Sequence, residues 1–169
     1  MKNLKLLLLV LLITTVSNAQ SKYFSTGLPN DFVSVSLQLD LFGSIDKQGF
    51  NGVAAFQAVD FGFLEYEVQS QFIVNEAGLD YIDLQLGVGY MIGISETVAI
   101  TPGVHWGLLH RPLTGLSGVT YGVTLKGRIW IGTSKRFAFV VSSSYDRRPD
   151  IEDKWGVLNG RAGFELRLN

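Results

Sequence analysis

The chain contains no cysteine. Disulfides, thiol catalysis, cysteine-held zinc and a lipid-modified cysteine anchor are therefore excluded. Histidine is nearly as scarce, with only His105 and His110 present, so an imidazole-rich metal centre lacks ligands. Only four prolines occur, and Pro102 falls inside a strand-like run, where it implies a bulge or a late strand start. No charge of one sign dominates: the formal net charge is −1, which gives no nucleic-acid signature. Long apolar runs are also missing, apart from one at the N-terminus.

That run, Leu6 to Ile13, is too short for a mature transmembrane helix. Lys2 and Lys5 precede it, and Ser17-Asn18-Ala19 follows with the small residues of a cleavage site. The pattern predicts a secretory signal peptide over 1–19, cleaved after Ala19. Cleavage removes Lys2 and Lys5 and takes the formal charge from −1 to −3. Residues 20–30 are polar, with Gly27 and Pro29, and read as a short periplasmic leader. A secreted chain without disulfides must hold itself by a large core or a closed hydrogen-bond ladder.

What fills the remainder, 31–169, is alternation. In DYIDLQLGVGYMIG, the residues Ile82, Leu84, Leu86, Val88, Tyr90 and Ile92 alternate with Tyr81, Asp83, Gln85, Gly87, Gly89 and Met91. Successive strand side chains point to opposite faces, so one face is apolar and the other polar or small. After the break ISET, Val98, Ile100, Val104, Trp106 and Leu108 repeat the rule against Thr101, Gly103, His105 and Gly107. The two runs predict a hairpin, and most of the chain repeats that unit.

About eight strands of roughly 10 to 13 residues follow from this pattern, long enough for tilted membrane-spanning strands. The first sets Val33, Val35, Leu37 and Leu39 against Ser34, Ser36, Gln38 and Asp40. In the second, neither parity is clean, and Ala54, Phe56 and Ala58 are placed outward so that Gln57 turns inward. The third sets Leu64, Tyr66, Val68 and Phe72 against Glu65, Glu67, Gln69 and Gln71. Connections after the first, third, fifth and seventh strands read as longer than the others. Asn75 to Leu79 and His110 to Gly118 are among these longer loops. The asymmetry predicts an all-β, antiparallel up-and-down transmembrane β-barrel with short periplasmic turns and longer outer loops.

A period of two also fits a soluble periplasmic ligand-binding barrel. The composition of the faces separates the two. The apolar face is bulky and nearly free of charge, and would overfill a narrow barrel if turned inward. The other face is rich in Gly, Ser and Thr. The apolar face is therefore assigned to lipid. Tyr66, Tyr90, Phe137 and Phe164 would fall toward the periplasmic side, and Phe72, Trp106, Tyr121 and Tyr145 toward the outer side. Two aromatic belts are expected of such a barrel.

On these residues 31–169 resembles the small eight-stranded outer-membrane barrels of the OmpX and OmpA transmembrane-domain type. The terminal strand GRAGFELRLN looks like the C-terminal assembly signal of such barrels, but it ends in Leu168-Asn169 where those end in Phe. The resemblance implies an outer-membrane, porin-like protein of a Gram-negative envelope. Its implied partners are membrane lipid and lipopolysaccharide, the barrel-assembly machinery and an envelope protein. Architecture alone does not name an activity.

Candidate chemistry sits in two places. The lumen is expected to hold Asp40, Glu65, Glu67, Asp83 and Glu165 against Lys126, Arg128, Arg161 and Arg167. Buried charges must be paired, so a salt-bridge plug is expected, in preference to a proton-linked path. Smaller residues near Gly87, Gly103, Gly107, Gly122 and Ser142 suggest a shallow pocket open to the outside. Glu65 and Glu67 are neighbours on one strand face, which yields a carboxylate pair without acid-base catalysis. His105 reads as a hydrogen-bonded lumen residue. No Gly-x-Ser-x-Gly or His-x-Ser arrangement occurs, so no nucleophile is evident. The second place is the outer loops, where Arg111, Arg147, Arg148, Lys154 and Trp155 could meet lipid phosphates or a partner.

The sequence thus predicts a non-enzymatic barrel with a plugged lumen and a structural or interaction role, requiring no cofactor or metal. Transport of small or apolar solutes through the barrel is the alternative.

Overall fold

The computed structural model describes residues 31–41, 49–149 and 156–168. The expected signal peptide and leader, with Lys154 and Trp155, lie outside the described residues. Nine strands are described: β1 Phe32–Asp40, β2 Gly49–Asp60, β3 Leu64–Asn75, β4 Gly78–Tyr90, β5 Ile92–Gly93, β6 Val98–Arg111, β7 Leu116–Ile131, β8 Phe137–Arg147 and β9 Val157–Arg167. Their order is β4-β3-β2-β1-β9-β8-β7-β6-β5, and β4 also pairs with β6. The sheet therefore closes on itself. It is an all-β, eight-stranded antiparallel barrel with one short extra strand.

Pro102 explains the extra strand. Gly89 stands opposite Gly103 and Ile92 opposite Ile100, so one register runs through β4 and β5. Pro102 stands opposite Tyr90 in the gap and has no N–H to donate. On the other edge, the Met91 N–H donates to the Phe63 carbonyl at 2.6 Å. Strand four is thus one strand with a missing rung. The proline causes neither the expected bulge nor a late start, because β6 already begins at Val98.

The barrel is apolar outside and polar inside. Leu37 is 70% exposed, whereas Gln57 is fully buried. In β2, Phe56 is exposed, and Asn51, Val53, Ala55, Gln57 and Val59 are buried inward. Ala54 and Ala58 share the outward face with Phe56. The need to bury Gln57 against other polar groups settles this strand, whose apolar residues occupy both faces.

The expected loop asymmetry is only partly present. β3 and β4 are joined by residues 76–77, and β6 and β7 by residues 112–115. Both connections are as tight as the turns at the other end. The Ala77 N–H donates to Asn75 Oδ1 at 2.9 Å, and Gly78 takes a φ of 109°. The Gly115 N–H donates to the Arg111 carbonyl at 2.8 Å, and Gly115 takes a φ of 71°. These local bonds let the strands run on through segments that composition marks as loop. A register shift between Ile73 and Val74 accommodates the extra residue, Asp80, in β4.

The seam between first and last strands depends on Gly163. It pairs with Gln38, and a Cβ built on it would lie 1.9 Å from the Leu37 carbonyl oxygen. No side chain fits there.

Candidate functional site

Inward parity places four layers of side chains along the lumen. The lowest is apolar. Phe32, Val59, Met91, Ala99, Trp130, Ala138 and Val140 form one buried cluster. Phe32 packs edge-on against Trp130 with ring centroids 5.3 Å apart. They lie at the end carrying the turns 61–63, 94–97 and 132–136.

Above this floor lies a charged layer. Arg128 is fully buried, and its Nε donates to Glu165 Oε2 at 2.8 Å. Its Nη1 donates to Glu65 Oε2 at 2.6 Å and to Thr101 Oγ1 at 3.0 Å. Lys126 Nζ donates to Glu65 Oε1 at 2.7 Å and also to Glu67. Gln57 extends the network, donating to Glu67 Oε2 at 2.9 Å and to Ser36 Oγ at 3.0 Å. Six strands, β1, β2, β3, β6, β7 and β9, thus supply one continuous polar cluster. Such a cluster holds the wall at a fixed diameter, because each charge requires a partner on a distant strand.

A third layer is built from amides, hydroxyls and Arg161. Arg161 Nη2 donates to Gln71 Oε1 at 3.0 Å, Gln71 to Asn51 at 3.2 Å, and Asn51 to Asp40 Oδ2 at 2.7 Å. Ser142 donates to Gln38 at 2.7 Å. His105 Nε2 faces Asp146 Oδ1 at 2.8 Å, and Asn159 and Ser144 both donate to Asp146 Oδ2.

The outer layer centres on Asp83 and Tyr81, both fully buried. Asp83 accepts from Thr120 at 2.9 Å, from Gln85 at 2.7 Å and from the Tyr81 hydroxyl at 3.2 Å. The Arg148 guanidinium stacks 4.4 Å from the Tyr81 ring centroid, and that of Arg111 lies 5.9 Å away. Two of the expected outer-loop cations therefore close the mouth over Tyr81. Arg147 is half-buried at the end of β8.

Several expectations change. Arg167 does not join the charged layer. It lies at the rim and donates to the Ser134 carbonyl at 3.4 Å. Asp146 is buried among the lumen charges instead, so the near balance of acids and bases shifts toward acid. The expected shallow pocket is filled at Gly107 and Gly122. A Cβ on Gly107 would meet Asp83 Oδ1 at 2.9 Å, and one on Gly122 would meet Asp146 Oδ1 at 2.6 Å. The glycines make room for neighbouring carboxylates. A lumen cavity of about 10 Å³ lies between His105 and Lys126, room for at most about one water.

The apolar floor is the element that polarity hid. Trp130 follows Arg128 by two positions and Phe32 precedes Ser34 by two, so inward parity was the available signal.

The geometry is poor for catalysis. Glu65 and Glu67 are both engaged by Lys126, and Ser144 donates to Asp146 and is not poised on His105. His110, on the outer hairpin, faces the Ser117 hydroxyl at 2.8 Å. Among the described residues, no group of three acidic or histidine side chains could hold a metal ion.

No family model matches the chain, and no curated protein matches its sequence. Solved structures do share its fold. A designed transmembrane β-barrel aligns with a TM-score of 0.54 at 13% identity, covering 83% of this chain and 97% of that one. The Yersinia pestis outer membrane protein Ail, determined in a phospholipid nanodisc, aligns with a TM-score of 0.52 at 14% identity, covering 81% and 99%. The designed barrel TMB2.3 gives 0.50 at 11% identity, covering 82% and 95%. The chain has the fold of a small outer-membrane-type β-barrel.

Proposed function

We propose that this protein is a non-enzymatic outer-membrane barrel whose lumen is permanently plugged, with a structural or interaction role at the envelope. The carrying observation is the stack inside the bore: an apolar floor, a charged layer tied across strands, and an arginine-capped mouth. A barrel of eight strands is just wide enough for side chains to fill. Here polar side chains pair across the bore at several levels, which supports the plugged reading.

In this reading the signal peptide is cleaved after Ala19 and the mature chain inserts through the barrel-assembly machinery. The rigid wall then presents its outer hairpins at the cell surface and its apolar face to membrane lipid. Arg111, Arg147 and Arg148 on that side are suited to lipopolysaccharide phosphates or an acidic protein partner, and the sequence adds Lys154 and Trp155, between β8 and β9, as further candidates.

Two observations test it together. The protein should be recovered in the outer membrane, with an SDS-gel mobility that changes on boiling. Deleting it should leave permeability to a panel of small solutes unchanged. Recovery as soluble periplasmic protein, or loss of solute uptake, would overturn the proposal.

A further inference from the structure

The lipid-facing wall is not smooth. A trough of about 640 Å³ runs across its outer face over β8, β9, β1, β2 and β3. Phe50 and Phe72 flank one side, with centroids 6.0 Å apart, and Phe139 and Phe164 flank the other, 5.7 Å apart. Between them stand Leu37 and Leu39, with Gly52 and Ala162 in the floor. Register explains the depression. Leu39 pairs with Gly52 on one edge and with Ala162 on the other, so two minimal side chains flank one leucine in a row of the wall.

Gly52 is a structural requirement here. A Cβ on it would lie 2.8 Å from Phe50 and 2.9 Å from Phe72, so both rings lean over the space that glycine leaves. The stretch Val119, Tyr121, Val123 and Leu125 on β7, by contrast, carries bulky exposed residues. The trough has the volume of a small-molecule site and the apolar, aromatic lining typical of one. Its outward-facing lining side chains carry no charged group, so it selects hydrocarbon and not a headgroup.

We propose that this trough is a binding site for the acyl chain of one bilayer lipid, held more tightly than the surrounding lipid. The occupant follows from position. The trough lies on the face that a membrane barrel turns to hydrocarbon, and Phe50 and Gly52 stand near the outer end of β2. The inference rests on the outer-membrane reading above.

The test is intact-protein mass spectrometry after release from nanodiscs of palmitoyl-oleoyl phosphatidylethanolamine and phosphatidylglycerol. The unaltered protein is expected to retain one lipid per barrel. Gly52→Leu and Ala162→Phe fill the trough from opposite sides, and each should cut the retained fraction about tenfold. Leu125→Phe, on the smooth wall, should leave it unchanged. Boiled and unboiled gel samples identify which variants remain closed barrels, and one folded filling variant suffices.

Complete lipid loss from the unaltered protein, or equal retention by the filled variants, would overturn the site. A doubled mass abolished by filling would show a second copy in the trough and overturn it too. Failure of the unaltered protein to enter nanodiscs would remove the membrane reading itself, and the site with it.

Discussion

Arg128 Nη1 lies 2.6 Å from Glu65 Oε2, although the two residues stand 63 positions apart. Their strands are not neighbours. β4 and β6 separate β3 from β7 in the wall, so the contact is a tie across the bore. The same guanidinium reaches Glu165 on β9, which makes Arg128 the joint of three strands. Burying a charge is costly unless it is paired, and removing one partner leaves the others buried and uncompensated.

Arg128→Met should therefore destabilise the barrel strongly, by about 3–5 kcal/mol. Urea unfolding in detergent micelles is the measurement. Combining Arg128→Met with Glu65→Gln should cost less than the sum of the two single changes, because the residues share a bond. Additive costs would show that the tie is not energetic.

The apolar floor predicts a second effect. Phe32 is 1% exposed and packs on Trp130. Phe32→Ala should cost about 3–5 kcal/mol, the usual range for deleting a buried aromatic ring. The lumen-facing indole of Trp130 should also become accessible to a water-soluble quencher from the periplasmic side.

Closure is the most sterically demanding feature. A Cβ at 163 would meet the Leu37 carbonyl oxygen at 1.9 Å, and that atom belongs to backbone. Gly163→Val should prevent β9 from pairing with β1. The heat-dependent gel shift should be lost, while Gly127→Val, with 3.7 Å to its nearest contact, should retain it.

Pro102 gives a prediction of opposite sign. Valine at that position supplies an N–H facing Tyr90 in the gap between β4 and β5. Pro102→Val should stabilise the barrel by about 0.5–1.5 kcal/mol, the net worth of one hydrogen bond. Its new amide should be protected in hydrogen exchange, and an unprotected amide would refute the missing-rung account.

The period of two made the barrel legible, because each strand shows its neighbours one apolar and one polar face. Ser34, Gln69, Asp83 and Lys126 could be placed inward from their own strands alone. Residues that break the coupling between polarity and direction were harder. Trp130 and Phe32 face inward yet are apolar, and Arg167 shares the inward parity but sits past the last layer. The outer turns at 76–77 and 112–115 were hidden for another reason. Asn75, Gly78 and Gly115 allow a tight reversal, and composition alone does not tell that from a loop. Pairings such as His105 with Asp146 depend on which strands face each other across the bore. They emerge only when the sheet closes.

Conductance tests the plugged lumen most directly. Protein shown by its gel shift to be folded would be inserted into planar lipid bilayers at high salt. The account predicts a silent membrane for the unaltered chain, with ion steps appearing when Phe32 and Trp130 are both replaced by alanine together with Arg128→Ala. Resolved steps from the unaltered, folded barrel would show an open path through the layers and contradict it.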